Sequence, residues 1–199
     1  MNQSIPERAP MRRQRKQPGA KKPLWREIVE WVVLFAGAYL LATLISTYIF
    51  QIIPVMGESM TPTLQSGERM FVTKFTYYFR EPERHEIVIT HYPESGALFV
   101  KRVVGLPGET IGVHDGQVYI DGEPLEEPYT REDTIYYELE DTVIPEGYVF
   151  VMGDNRNDSK DSHSSSVGPL PLSDLVGKAQ FVIWPLNAIR SLHYTPQAG

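Results

Sequence analysis

TIGVHDGQVYIDG, residues 110 to 122, decides the fold class. Two short runs with β-branched and aromatic residues are parted by Asp115-Gly116, and the second run ends at Asp121-Gly122. A two-residue Asp-Gly loop between such runs signals a hairpin, because its turn needs positive φ at both central residues. Working outward, RMFVTKF (69–75), HEIVITHY (85–92), ALFVKRVVG (97–105), TIYYELE (134–140) and YVFVMGD (148–154) also read as strands between Gly, Pro and Asp turns. Helical periodicity is weak in this part of the chain, with LPLSDLVGKA (170–179) as one short candidate, and no repeat of fixed period is found. The expected fold is mainly β, with antiparallel sheets coiled into a sandwich or barrel-like domain. Residues 106–145 are rich in hairpin signals and read as a smaller inserted subdomain.

Upstream the pattern changes. WVVLFAGAYLLATLISTYIFQIIPV (31–55) contains no charged residue. A membrane-crossing helix needs about 20 mostly apolar residues. Trp25 and Trp31 on one side, and Tyr48 and Phe50 on the other, suit anchoring at the two interfaces. A cleaved secretory signal has a shorter apolar stretch ending in a small-x-small site. The reading is therefore an uncleaved anchor over 25–53, a disordered basic tail over 1–24 and a β domain over 54–199. Residues 1–26 hold eight Lys or Arg against one Glu, so the remainder carries about −13 of the formal net charge of −6. The positive-inside rule keeps the tail in the cytoplasm and puts the β domain outside. A basic tail on an acidic body argues against a nucleic-acid partner. The chain of 199 residues has no cysteine, which excludes disulfides, thiolate metal sites and a thiol nucleophile.

Ser59, in MGESMTPTL (56–64), is a candidate nucleophile that needs a base. The five histidines fall in no familiar hydrolase context, and Ser59 lies outside a G-x-S-x-G elbow. Lysine is protonated at neutral pH unless burial lowers its proton affinity. Lys101 lies within an apolar strand, on the face of Phe99 and Val103, with Arg102 on the other. An edge-strand lysine that discourages aggregation fits the same pattern.

SMTPTL (59–64), KRVVGLPGE (101–109) and GDNRNDSKDS (153–162), in this order behind an N-terminal anchor, resemble the motif boxes of bacterial type I signal peptidases. The single anchor is similar to the Gram-positive form. The resemblance implies Ser59 as nucleophile and Lys101 as general base of a Ser-Lys dyad. It implies that Ser159 hydrogen-bonds the lysine and that Asp161 and Arg156 brace the site. Met60, Leu64 and Phe99 would contact substrate. No metal or organic cofactor is implied. The implied partners are preproteins with Ala-x-Ala-type signal peptides and the lipid membrane, with the secretion machinery as a further candidate. The implied location is the outer face of the cytoplasmic membrane, with a single pass.

Two positions depart from the family pattern. His163 stands where Arg is common, and a His–Asp pair is charged only while the ring is protonated. Gly57 stands where some members place a serine hydroxyl that donates to the oxyanion, so backbone N–H groups must serve instead. These departures sustain an alternative, a catalytically impaired membrane-anchored β module that only binds. A self-cleaving Ser-Lys protease of the DNA-damage response would need a regulatory segment in place of the anchor. Among the remaining features, Glu123, Glu126 and Glu127 read as a solvated surface, Trp184 as core, and Tyr77, Tyr78 and Phe79 as strand-end packing.

Overall fold

The computed structural model describes residues 23–92 and 96–194. Of the basic tail, residues 1–22 lie outside the described residues. Two compact units divide the chain after Leu41. Helix α1, Leu24–Tyr48, is uninterrupted and has no buried residue. At 1.5 Å per residue its 25 residues extend about 37 Å, long and apolar enough to cross a membrane.

The helix ends at Tyr48, and Phe50–Pro54 form strand β1, so the anchor read over 25–53 overran its true end. Hydropathy could not separate the two, because Ile52 and Ile53 are as apolar as a membrane helix yet suit a pleated sheet. β2 (Arg69–Thr73), β3 (Ile87–His91) and β4 (Leu98–Gly105) follow. Next come β5 (Thr110–His114), β6 (Gln117–Ile120), β7 (Glu123–Pro124) and β8 (Leu139–Val143). The chain closes with β9 (Tyr148–Met152), β10 (Leu170–Pro171), β11 (Leu175–Trp184) and β12 (Arg190–Ser191).

All pairings are antiparallel, and the mainly β expectation holds. One sheet runs β1-β2-β11-β3-β4-β9-β10, with β12 on β11. Register shifts along β11 and β4 mark bulges, which add twist and curl the sheet. The second sheet, β7-β6-β5-β8, uses residues 110–143, between β4 and β9 of the first. Asp115-Gly116 joins β5 to β6 with φ of 51° and 78°, and Asp121-Gly122 joins β6 to β7 with 51° and 84°. Both are the positive-φ hairpin turns expected of Asp-Gly.

Three other expectations are corrected. LPLSDLVGKA is no α-helix. It is β10, one 3₁₀ turn and the start of β11, which pairs with β2 and β3 on its two edges. The sheet's pairing overrides the weak helical pattern. TIYYELE becomes a strand only from Leu139. At its start, Tyr136 N donates to Asn157 Oδ1 and Asn157 Nδ2 donates to Thr134 O, so a side chain replaces the ladder. Tyr78, Phe79 and Trp184 are exposed rather than packed, whereas Tyr77 is half-buried and its hydroxyl donates to Glu86.

The first sheet covers a core containing Leu64, Met70, Val72, Ile87, Ile89 and Val182. The second covers its own, with Ile111, Val113, Val118 and Ile144 at the centre together with Phe150 of β9. Each fully buried aliphatic side chain contributes about 1.5–3 kcal/mol.

Candidate active site

Ser59 lies in the loop between β1 and β2, and Lys101 on β4 opposite Val88 of β3. Lys101 Nζ is 2.7 Å from Ser59 Oγ. The lysine is 3% exposed. Burial pushes its amine below its ordinary value, against the opposing pull of Asp161 and Asp154. Phe99, two residues back on the same face, holds its ring centroid 5.7 Å from Nζ and packs on Tyr92.

Strand alternation sends the next cation the other way. Arg102 donates to both oxygens of Asp154, at 2.8 and 2.6 Å, and to His85 O at 2.8 Å. Its guanidinium lies 3.8 Å from the Tyr129 ring centroid. His85 Nδ1 is 2.7 Å from Tyr129 Oη, and burial first, then Arg102, pushes this histidine down to about 4. None of the five histidines, all among the described residues, hydrogen-bonds Ser59.

The third box, after β9, folds against the serine loop. Gly153 N donates to Asp161 Oδ2 at 2.8 Å. The Ser159 hydroxyl donates to the same oxygen, not to Lys101 as the resemblance implies. A carboxylate is a stronger hydrogen-bond acceptor than an amine. Asp161 Oδ1 pairs with His163 Nδ1 at 2.7 Å, and the His163 ring stacks on Tyr137 with centroids 4.2 Å apart. Gly153 has no room for a side chain, since a Cβ there would meet Ser59 O at 2.4 Å and Ser159 Oγ at 2.3 Å. Arg156 is fully enclosed, pairing with both oxygens of Glu127 and donating to Gly153 O at 3.0 Å. Glu127 is therefore no solvated surface residue. It supplies the charge without which Arg156 could not be buried.

Ser59 and Lys101 open on a cleft of about 490 Å³ that Met60, Phe99, Ile53 and Val55 line, with Gly57 and Glu58 beside the serine and Asp158 and Lys160 also lining it. Leu64 is not among the lining residues. It is fully buried in the core beneath the loop, where Leu64 N donates to Met60 O at 2.9 Å. Ser59, Met60, Lys101 and Phe99 thus come together, and Ser159, Asp161 and Arg156 lie behind them. Sequence reading missed Gly153, Asp154, Asn155 and Glu127. The first three share the GDN triplet with no individual signal, and Glu127 sits in an acidic stretch typical of a surface.

The family profile described as signal peptidase, peptidase S26, matches residues 28–184. A probable signal peptidase I-1 of Synechocystis is 40% identical over 171 residues, covering 82% of this chain and 86% of that protein. A signal peptidase I of Bacillus licheniformis is 39% identical over 172 residues, covering 82% and 92%. A solved signal peptidase I from Enterococcus faecalis is 30% identical, covers 50% of this chain and 97% of that one, and has a TM-score of 0.44. The chain belongs to the signal peptidase family, peptidase S26.

Proposed function

We propose that this chain is a membrane-anchored serine endopeptidase that removes N-terminal signal peptides from preproteins, with Ser59 as nucleophile and Lys101 as general base. Signal peptidase I activity is the function its family and relatives carry. The observation that carries the residue roles is the 2.7 Å approach of a buried lysine to a serine on the wall of a cleft. A lysine enclosed this way, with a hydroxyl rather than a carboxylate at its amine, is favoured in its neutral form, and a neutral amine can take a proton.

The steps follow from that geometry. Lys101 Nζ removes the Ser59 hydroxyl proton as Oγ attacks the carbonyl carbon before the scissile bond. The tetrahedral intermediate collapses, the C–N bond breaks, and lysinium gives its proton to the departing amine. Water then attacks the acyl ester, losing a proton to Lys101, and Ser59 regains its own as the carboxylate leaves. The apolar lining around Met60, Phe99 and Val55 keeps the amine dry and suits small apolar side chains, in keeping with Ala-x-Ala before the cut.

The anchor supports the substrate's location. Ile49 alone parts helix α1 from β1, and the serine follows β1 by five residues. Contour length therefore tethers Ser59 within about 40 Å of the helix end, where a preprotein held by its own apolar segment presents its cleavage site. With the basic tail in the cytoplasm, cleavage occurs at the outer face.

The test incubates the full-length protein in detergent micelles with a preprotein carrying an Ala-x-Ala site and maps the product ends by mass spectrometry. A cut after the second Ala that disappears in Ser59→Ala is expected. No cut by the wild type would sink the proposal in favour of the binding module.

A further inference from the structure

The peptide group between Glu58 and Ser59 is gripped from behind. Its carbonyl oxygen accepts from Thr61 N at 3.0 Å and from Asn155 Nδ2 at 3.2 Å. The next carbonyl, Ser59 O, accepts from Asn155 N at 3.0 Å. Asn155 is 1% exposed, so it holds both peptide groups flanking the serine from a fixed, dry position. Gly153, two residues earlier, permits this contact because any side chain there would strike Ser59 O.

A trans peptide is planar, with its C=O and N–H on opposite sides. Once Glu58 C=O is tied inward to Asn155 and Thr61, Ser59 N–H is turned away from them. Among the described residues no protein acceptor takes that N–H, and Glu58 and Ser59 both line the cleft. Gly57 contributes no hydroxyl, and its φ of +88° is one that a serine side chain would strain.

We propose that Asn155 is a positioning residue that fixes the Ser59 N–H as the oxyanion donor of the cleft. This rests on Ser59 being the nucleophile. Asn155 never touches the substrate. It sets the direction of the N–H, and by donating to the carbonyl of the same peptide group it polarises that N–H toward stronger donation. The benefit arises only when negative charge forms on the substrate oxygen, so it belongs to kcat rather than to substrate binding. With no side-chain donor at residue 57, the backbone donor carries more of the burden than it would beside a serine.

The test uses the full-length protein in micelles and the variants Asn155→Ala and Ser59→Ala. Two ligands are compared: a peptide aldehyde ending in Ala-x-alaninal, which forms a tetrahedral adduct with the serine, and the corresponding peptide amide, which does not. For Asn155→Ala, kcat is expected to fall about 10²-fold with KM changed less than about threefold. Aldehyde affinity should fall in step with kcat, while amide affinity stays unchanged. Equal kcat for Asn155→Ala and wild type, or aldehyde and amide affinity falling together, would overturn the inference. If Asn155→Ala is unfolded at the assay temperature, Asn155→Asp carries the same comparison, since it keeps the shape and the backbone N–H and loses the Nδ2 donor. A wild type showing no Ser59-dependent cleavage overturns the nucleophile itself. Ser59-dependent cleavage that Asn155→Ala leaves intact overturns only the role of Asn155.

Discussion

Two lysines are buried in the first sheet, and their surroundings are opposite. Lys178 of β11 is 7% exposed and its Nζ lies 2.5 Å from Glu86 Oε1, a carboxylate that Arg80 also grips. Burial pushes the Glu86 carboxyl up, but hydrogen bonds from Arg80 and Lys178 outweigh it and hold the group below its usual range. Lys101 is buried as deeply and meets a hydroxyl. The carboxylates whose charge reaches it are already engaged. Asp154 is bound by Arg102, and Asp161 by Ser159, Gly153 N and His163. A charged partner makes a buried lysine a brace, and withholding one leaves its amine favoured in the neutral form.

The sharpest way to break this comparison is to remove each amine while keeping its volume. Lys101→Met should lower kcat by on the order of 10⁴-fold or more in the preprotein assay, as loss of one member of a catalytic unit does. It should leave the thermal midpoint unchanged or raised. Retention of a tenth of the activity would remove Lys101 from the mechanism. Gly153→Ala comes next, since its Cβ would displace Ser59 or Ser159. A misplacement of about 1 Å costs roughly 10²-fold in rate, to be read as kcat in a protein whose melt stays cooperative.

Lys178→Met and Glu127→Gln probe the braces. Each leaves a buried charge short of its partner and should cost about 3 kcal/mol in denaturant unfolding. Activity per folded molecule should hardly change for Lys178→Met, and a large loss there would erase the distinction between the two lysines. A finer test follows the sign of proton linkage. The Lys101 amine binds its proton less tightly folded than unfolded. Its burial therefore opposes folding fully below the folded value, and that opposition fades as pH rises toward the unfolded value. The stability advantage of Lys101→Met over wild type should shrink with rising pH, and a pH-independent difference would show that the amine is not depressed. The smallest effect is expected from Asp161→Asn. Losing a negative charge lowers the proton affinity of Lys101, so the acid limb of the kcat/KM profile should move to lower pH. A move to higher pH would contradict the assigned base.

The sequence made legible whatever rests on local chemistry. Both Asp-Gly pairs are hairpin turns because few other residues accept positive φ twice in succession, and Lys101 stood out because a lysine among Phe99, Val100, Val103 and Val104 needs a reason. What stayed hidden depends on partners far away in the chain. Residues 175–179 are strand because β2 and β3 pair with them. The resemblance implies Leu64 as a substrate contact, whereas the residue is core, because a resemblance places a motif but not the direction of each side chain. Glu127 lies 29 residues from Arg156, and nothing local distinguishes it from the solvated Glu126.

The order of strands also dictates when the protein can begin to work. Ser59 precedes β2, Lys101 lies on β4, and the strand that joins β2 to β3 is β11, made of residues 175–184. During synthesis the serine and the lysine both emerge long before the strand that brings their halves of the sheet together. The inserted hairpins, built from neighbours in sequence, can form early, whereas the central pairing must wait for the end of the chain. A nascent protease of this design stays idle until it is nearly complete, and a chain stopped at residue 174 would hold Ser59, Lys101 and the residues packed around them yet lack the strand that unites them.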